Sequence, residues 1–186
     1  MKILITLIAA FGIGFAVEGL AADDTPTLPA PVVLKVTGLF DGKRESELRQ
    51  VLEDVPGVEL VSIDYEHGEG SFRFDPAKAF PGVKPQDIVT RFNEKLRSVS
   101  AATFGVKPLS STPHEKLQRV EIPIIGLDCR ACSLAAYEAV AKLDGVEQAT
   151  ASFHDGLVTA LIDPQKTDRS KLEAALKEKR VQLRQP

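Results

Sequence analysis

Apolar residues in the chain recur at two helical stretches. Leu48, Val51, Leu52 and Val55 stand at i, i+3, i+4 and i+7, and Ala136, Ala139, Val140 and Leu143 repeat that spacing. Residues so spaced share one face of a helix and can be buried together. Between them lie short apolar or alternating runs bounded by Gly, Pro and Asp, which read as strands. The pattern predicts a strand over Val32–Val36, a helix near Glu45–Asp54 and a strand over Glu59–Tyr65. A turn at His67-Gly68, a strand over Gly70–Phe74, a helix over Gln86–Arg97 and a strand near Ala102–Val106 follow. The second half predicts a strand over Val120–Ile125, a helix over Cys132–Leu143 and a strand over Glu147–Phe153. Then come a turn at Asp155-Gly156, a strand over Leu157–Ile162, a helix over Arg169–Glu178 and a short strand over Val181–Leu183.

The two halves are copies. A shift of 88 residues, Val32 onto Val120, places Gly38-Leu39 on Gly126-Leu127 and Gly57-Val58-Glu59 on Gly145-Val146-Glu147. It also places Gly68 on Gly156 and Asp75-Pro76 on Asp163-Pro164. These are positions where the backbone turns, so shared punctuation implies shared topology. Each copy reads as βαββαβ, a split-βαβ unit. The expected class is α+β: two tandem ferredoxin-like units, at 32–106 and 119–184, joined by a linker at 107–118. Whether the units touch is not written in the pattern.

Composition adds a compartment. Met1-Lys2 and the short apolar run Ile3 to Val17, followed by Ala21-Ala22, form a signal-peptide pattern over residues 1–22 with cleavage after Ala21 or Ala22. The alternative is an uncleaved anchor. A Pro-rich leader, 23–31, follows. The expected location is periplasmic or secreted, with no stable membrane insertion after cleavage. The net charge is -3 with mixed signs, which gives no basic surface for nucleic acid.

Two cysteines, Cys129 and Cys132, are the chain's whole complement. A pair three apart cannot form a disulfide framework and asks for a local role. Cys129 is expected in the loop leaving a strand and Cys132 in the first helical turn, so both sulfurs can converge. Unpaired N–H groups and the helix dipole favour negative charge there, and hence thiolate. Two thiolates suit one soft ion: Cu(I), or Zn(II), Cd(II) or Hg(II) with further ligands.

At these residues the chain resembles the heavy-metal-associated domain family. The carriers are Gly126, Cys129, Cys132, Ala139, Val140, Leu143, Gly145 and Val146, within about 120–183. That family includes copper chaperones, N-terminal regions of metal-exporting ATPases and the periplasmic mercury-binding protein. The resemblance implies a ferredoxin-like fold with Cys129 and Cys132 as metal ligands. It also implies a metal-transport or envelope protein as exchange partner, with the chain acting as scavenger, chaperone or sensor. Leu127 stands where the family has Met, a volume-conserving change. Asp128 stands where copper-type members have Thr or Ser, and resembles the zinc- and cadmium-exporting members. It is either a third, oxygen ligand or a helix cap. Lys179 and Arg180 are either near the metal or a solvated helix end.

The first copy has Asp41 and Arg44 at the two cysteine positions. They are read as a surface salt bridge or nothing, in a degenerate unit that kept the fold and lost the ligands. His67 and His114 are read as solvated. His154 is read as far from the cysteine pole. Two other functions stay open: a thiol–disulfide oxidoreductase using Cys129-Arg130-Ala131-Cys132, and an interaction module whose cysteine pair is an inert disulfide.

Overall fold

The computed structural model describes residues 30–125, 130–152 and 154–184. The signal-peptide pattern and most of the leader lie outside the described residues. So do Gly126, Leu127, Asp128, Cys129 and Phe153.

The first unit runs β1 (Val32–Thr37), α1 (Arg44–Leu52), β2 (Val58–Asp64), β3 (Glu69–Phe74), a short α2 (Pro76–Ala79), α3 (Ile88–Val99) and β4 (Gly105–Lys107). The second runs β5 (Gln118–Ile125), α4 (Arg130–Ala141), β6 (Val146–Ser152), β7 (Leu157–Ile162), α5 (Arg169–Glu178) and β8 (Gln182–Leu183). Each unit has a four-stranded antiparallel sheet, ordered β2-β3-β1-β4 and β6-β7-β5-β8. This is the split-βαβ arrangement expected from the element order.

The repeat is visible in the hydrogen bonds. Gly57 and Gly145 take φ of +79° and +82°, and their carbonyls accept from Asp75 N and Asp163 N, both at 2.7 Å. A side chain at Gly57 would meet the Ala79 backbone at 2.7 Å, so glycine is required for space as well as for φ. Boundaries moved where local chemistry overrode periodicity. A single 3-10 turn, Pro85–Asp87, starts the second helix of the first unit later than expected. Ala101 and Ala102 adopt φ of 49° and 61°, so that stretch is a turn and the strand begins only at Gly105.

The helices of each unit cover one face of its sheet. The first core is aromatic: Phe72, Phe74, Phe80 and Phe92 pack ring to ring with Leu34, Leu48 and Leu96. The second is built from small and aliphatic residues, among them Ile122, Ile124, Ala136, Val140, Ala149, Ala160 and Leu176. Its missing bulk comes from the other unit. Phe40, from the β1–α1 loop, is 1% exposed and belongs to the second core, 5.6 Å from the Tyr137 ring.

The units therefore touch, and the contact is built by the segment before α1. Phe40 O accepts from Ala151 N at 3.0 Å, closing part of the free edge of β6. Gly38 N donates to the Tyr137 hydroxyl at 2.7 Å. Gln148 Nε2 donates to Leu39 O at 3.4 Å and Tyr65 O at 3.2 Å. Beside this seam Lys35, a buried cation, lies 3.3 Å from Glu69 and 3.6 Å from Glu147 of the second unit. Its ammonium also donates to His67 O at 2.8 Å.

Candidate functional site

Cys132 sits in the first turn of α4, on the chain that leaves β5. Its side chain is partly buried against the second core, and its sulfur is engaged in a disulfide. Sequence supplies one other cysteine, Cys129, which lies outside the described residues with Asp128. An amphipathic helix whose buried face is Ala136, Ala139 and Val140 holds this turn against the sheet. Lys179 ends α5 and Arg180 follows with φ of 60°; both are exposed, as a solvated helix end would be.

The first unit's counterpart of this loop has a different job from the one expected. Arg44 is 4% exposed, so the reading of Asp41 and Arg44 as a surface pair or nothing is wrong for Arg44. Its guanidinium lies 4.7 Å from the ring centroids of both Phe40 and Phe104. It donates to Gly38 O at 3.3 Å and pairs with Glu47. Stacking between two rings and a carbonyl acceptor lets a planar cation be buried. Arg44 thereby rigidifies the loop that carries Phe40 into the second unit. Asp41 caps locally, accepting from Lys43 N at 2.8 Å.

The histidines also differ from expectation. His67 and His114 are not simply solvated: their rings stack at 4.0 Å with 9° between planes. His67 Nδ1 lies 2.7 Å from Asp64, and His114 Nε2 lies 2.8 Å from Glu69, so the linker is tied to the first sheet. The placement of His154 is corrected by topology. Leu157 registers with both Ser152 and Pro123, and Ile124 N donates to Gly156 O at 2.8 Å. The turn carrying His154 is therefore at the same pole as the exit of β5 towards the cysteines. β6 and β5 both pair antiparallel with β7, so they run the same way and end together. His154 Nδ1 lies 3.1 Å from Asp155, whose carboxyl is held below the usual carboxylate range by hydrogen bonds from Ser152 and then His154.

Sequence reasoning also missed Lys35, Glu147, Phe40 and Tyr137. The available signals were weak: a lysine in an otherwise apolar strand, and a phenylalanine alone in a loop. Both tyrosines of the chain stand at the seam. Burial raises the Tyr137 hydroxyl above its ordinary value. Tyr65 is pushed up to about 12 by burial, with the Asp41 carboxylate and Tyr137 adding to it. A phenol whose pKa is raised by folding stabilises the protein below its unfolded value near 10.0, and that contribution is lost as pH climbs towards the folded value. Stability should therefore fall between about pH 10 and 12. Denaturant midpoints across that range, followed by backbone circular dichroism, test this; flat midpoints in Tyr65→Phe/Tyr137→Phe would assign the loss to the seam.

No protein-family model and no curated protein matches the chain. Among solved structures, it is similar to oxidized MerP from Ralstonia metallidurans CH34, with 25% identity, 37% of this chain and 99% of that chain covered, and a TM-score of 0.35. It is similar to the CopZ metallochaperone, with 22% identity, 36% of this chain and 100% of that chain covered, and a TM-score of 0.35. It is also similar to the N-terminal soluble domains of Bacillus subtilis CopA, with 19% identity, 83% of this chain and 91% of that chain covered, and a TM-score of 0.35.

Proposed function

We propose that the chain is an exported soft-metal-binding protein whose second unit holds one Cu(I) or Zn(II)-class ion through Cys129 and Cys132. The observation that carries this reading is Cys132 itself: a partly buried cysteine in the first turn of α4, where the chain has just left β5, with a second cysteine three residues before it in sequence. Thiolate is favoured at a helix start, and soft cations favour thiolate. A residue that is not fully buried suits exchange of the ion, since a sealed site could not pass its cargo on. Asp128 is the third donor where the ion is Zn(II), because an oxygen ligand fits zinc better than copper. The compartment follows from the N-terminal pattern; the partner is a metal-transport or envelope protein.

The disulfide at Cys132 fits a resting form in an oxidising compartment. Reduction takes two electrons and two protons from a dithiol reductant, which leaves as a disulfide and returns both thiols. Reduced protein should then hold about one ion per chain in chelator competition, while oxidised protein holds none. Cys129→Ser and Cys132→Ser should each abolish tight binding. Equal metal uptake by oxidised protein, or by Cys132→Ser, would sink the reading. Asp128→Thr should weaken Zn(II) and spare Cu(I); unchanged Zn(II) affinity would make Asp128 a cap only.

A further inference from the structure

The seam between the units encloses a groove of about 560 Å3 lined by Phe40, Asp41, Lys43, Ser133, Ser152 and His154, among others. Ser133 directly follows Cys132 on α4. Its hydroxyl is buried and has no hydrogen-bond partner among the described residues. A buried hydroxyl without a partner is costly, which marks this wall of the groove as polar and unsatisfied. The same groove is lined by His154, on the turn that topology brings to the end of the sheet where β5 exits. Its ring is 88% exposed. Its Nδ1 faces Asp155 Oδ1 at 3.1 Å. Asp155 is itself fixed: Ser152 Oγ donates to it at 2.6 Å and accepts from its N–H at 3.2 Å. A carboxylate that accepts a hydrogen bond from Nδ1–H orients the ring and leaves Nε2, on the exposed side, as the donor atom for a cation.

We propose that His154, oriented by Asp155, is a second metal-ligating position at the cysteine pole, binding a Zn(II) or Cu(I)-class ion through Nε2. This rests on the thiolate reading, which it extends by one donor. His67 and His114 cannot serve, because their stacked rings are committed to Asp64 and Glu69 elsewhere on the fold. The histidine's position on an exposed turn lets it meet the ion as it enters or leaves the helix start. An imidazole is a good donor for both ions, and as a neutral ligand it adds no charge to a site that two thiolates already make negative.

The test uses the full chain, reduced, with Zn(II) as the probe. Long-range nitrogen–proton NMR of the histidine rings should show the His154 Nε2 resonance move on Zn(II) addition, while His67 and His114 stay fixed. Chelator competition should show His154→Gln losing about tenfold in Zn(II) affinity, with Asp155→Asn losing less. Wild-type protein that holds Zn(II) with an unmoved His154 ring, and a His154→Gln variant of unchanged affinity, overturn the histidine assignment and leave the thiolate site standing. Reduced wild-type protein that holds no Zn(II) or Cu(I) overturns the thiolate reading, and His154 falls with it.

Discussion

Phe40→Ala should destabilise the chain by about 3–5 kcal/mol, the usual range for deleting a fully buried phenylalanine side chain. Phe40 is covalently part of the first unit and 1% exposed within the core of the second. The core it enters is rich in alanine, Ala136, Ala149 and Ala151 among them, and such small side chains cannot close over the vacated space. The loop is also held by three backbone groups, at Gly38, Leu39 and Phe40, and by Arg44 stacked behind it. Collapse of the pocket is therefore resisted, which keeps the cost high. Urea unfolding followed by both tyrosine fluorescence and backbone circular dichroism would measure it. Wild type should unfold in one transition, because each unit depends on the seam. In the variant the two probes should separate as the second unit melts first. A cost below about 1 kcal/mol would show that Phe40 is not a core residue of the second unit.

The second large effect is expected at Lys35. Its ammonium lies between Glu69 and Glu147, and the side chains of all three are mostly buried. The distance to Glu147, 3.6 Å, is that of an ion pair and too long for a hydrogen bond, and Glu147 Oε2 has no hydrogen-bond partner among the described residues. The pair is thus held by charge alone on that side. Lys35→Met removes the charge and leaves two buried carboxylates facing each other. The expected loss is about 3–5 kcal/mol, measured as a shift in denaturant midpoint. Adding Glu69→Gln and Glu147→Gln to Lys35→Met should recover much of that loss, since no uncompensated charge would remain. His114 still reaches the amide from the linker, so the added changes keep that contact. If Lys35→Met alone is as stable as wild type, the charge cluster is not what fastens the units here.

Much of this was legible along the chain, and the reasons are local. The match of Gly57 and Gly145 depends on backbone freedom at single positions, and both took the positive φ that glycine allows. The i, i+3, i+4 pattern of Leu48 and Leu52, and of Ala136 and Val140, marked faces that were indeed buried. The failures are equally specific. Arg44 was read from its charge, which belongs at a surface unless planar partners surround it; those partners, Phe40 and Phe104, are separated from it in opposite directions along the chain. His154 was misplaced because strand direction within a sheet is set by pairing, and only the register of β6 and β5 on β7 reveals that they end together. His114 was read as linker, and its stacking on His67 depends on how the linker folds back.

By itself the sequence determined the two βαββαβ units, their turns, and a helix start at Cys132, because periodicity and glycine chemistry act within a few residues. Only the tertiary structure decided that the units are joined through the loop between β1 and α1. A pattern of apolar positions says which face must be covered; it does not say what covers it. Phe40 in a foreign core, Lys35 between glutamates of two units and His154 at the cysteine pole all depend on contacts between residues far apart in the chain.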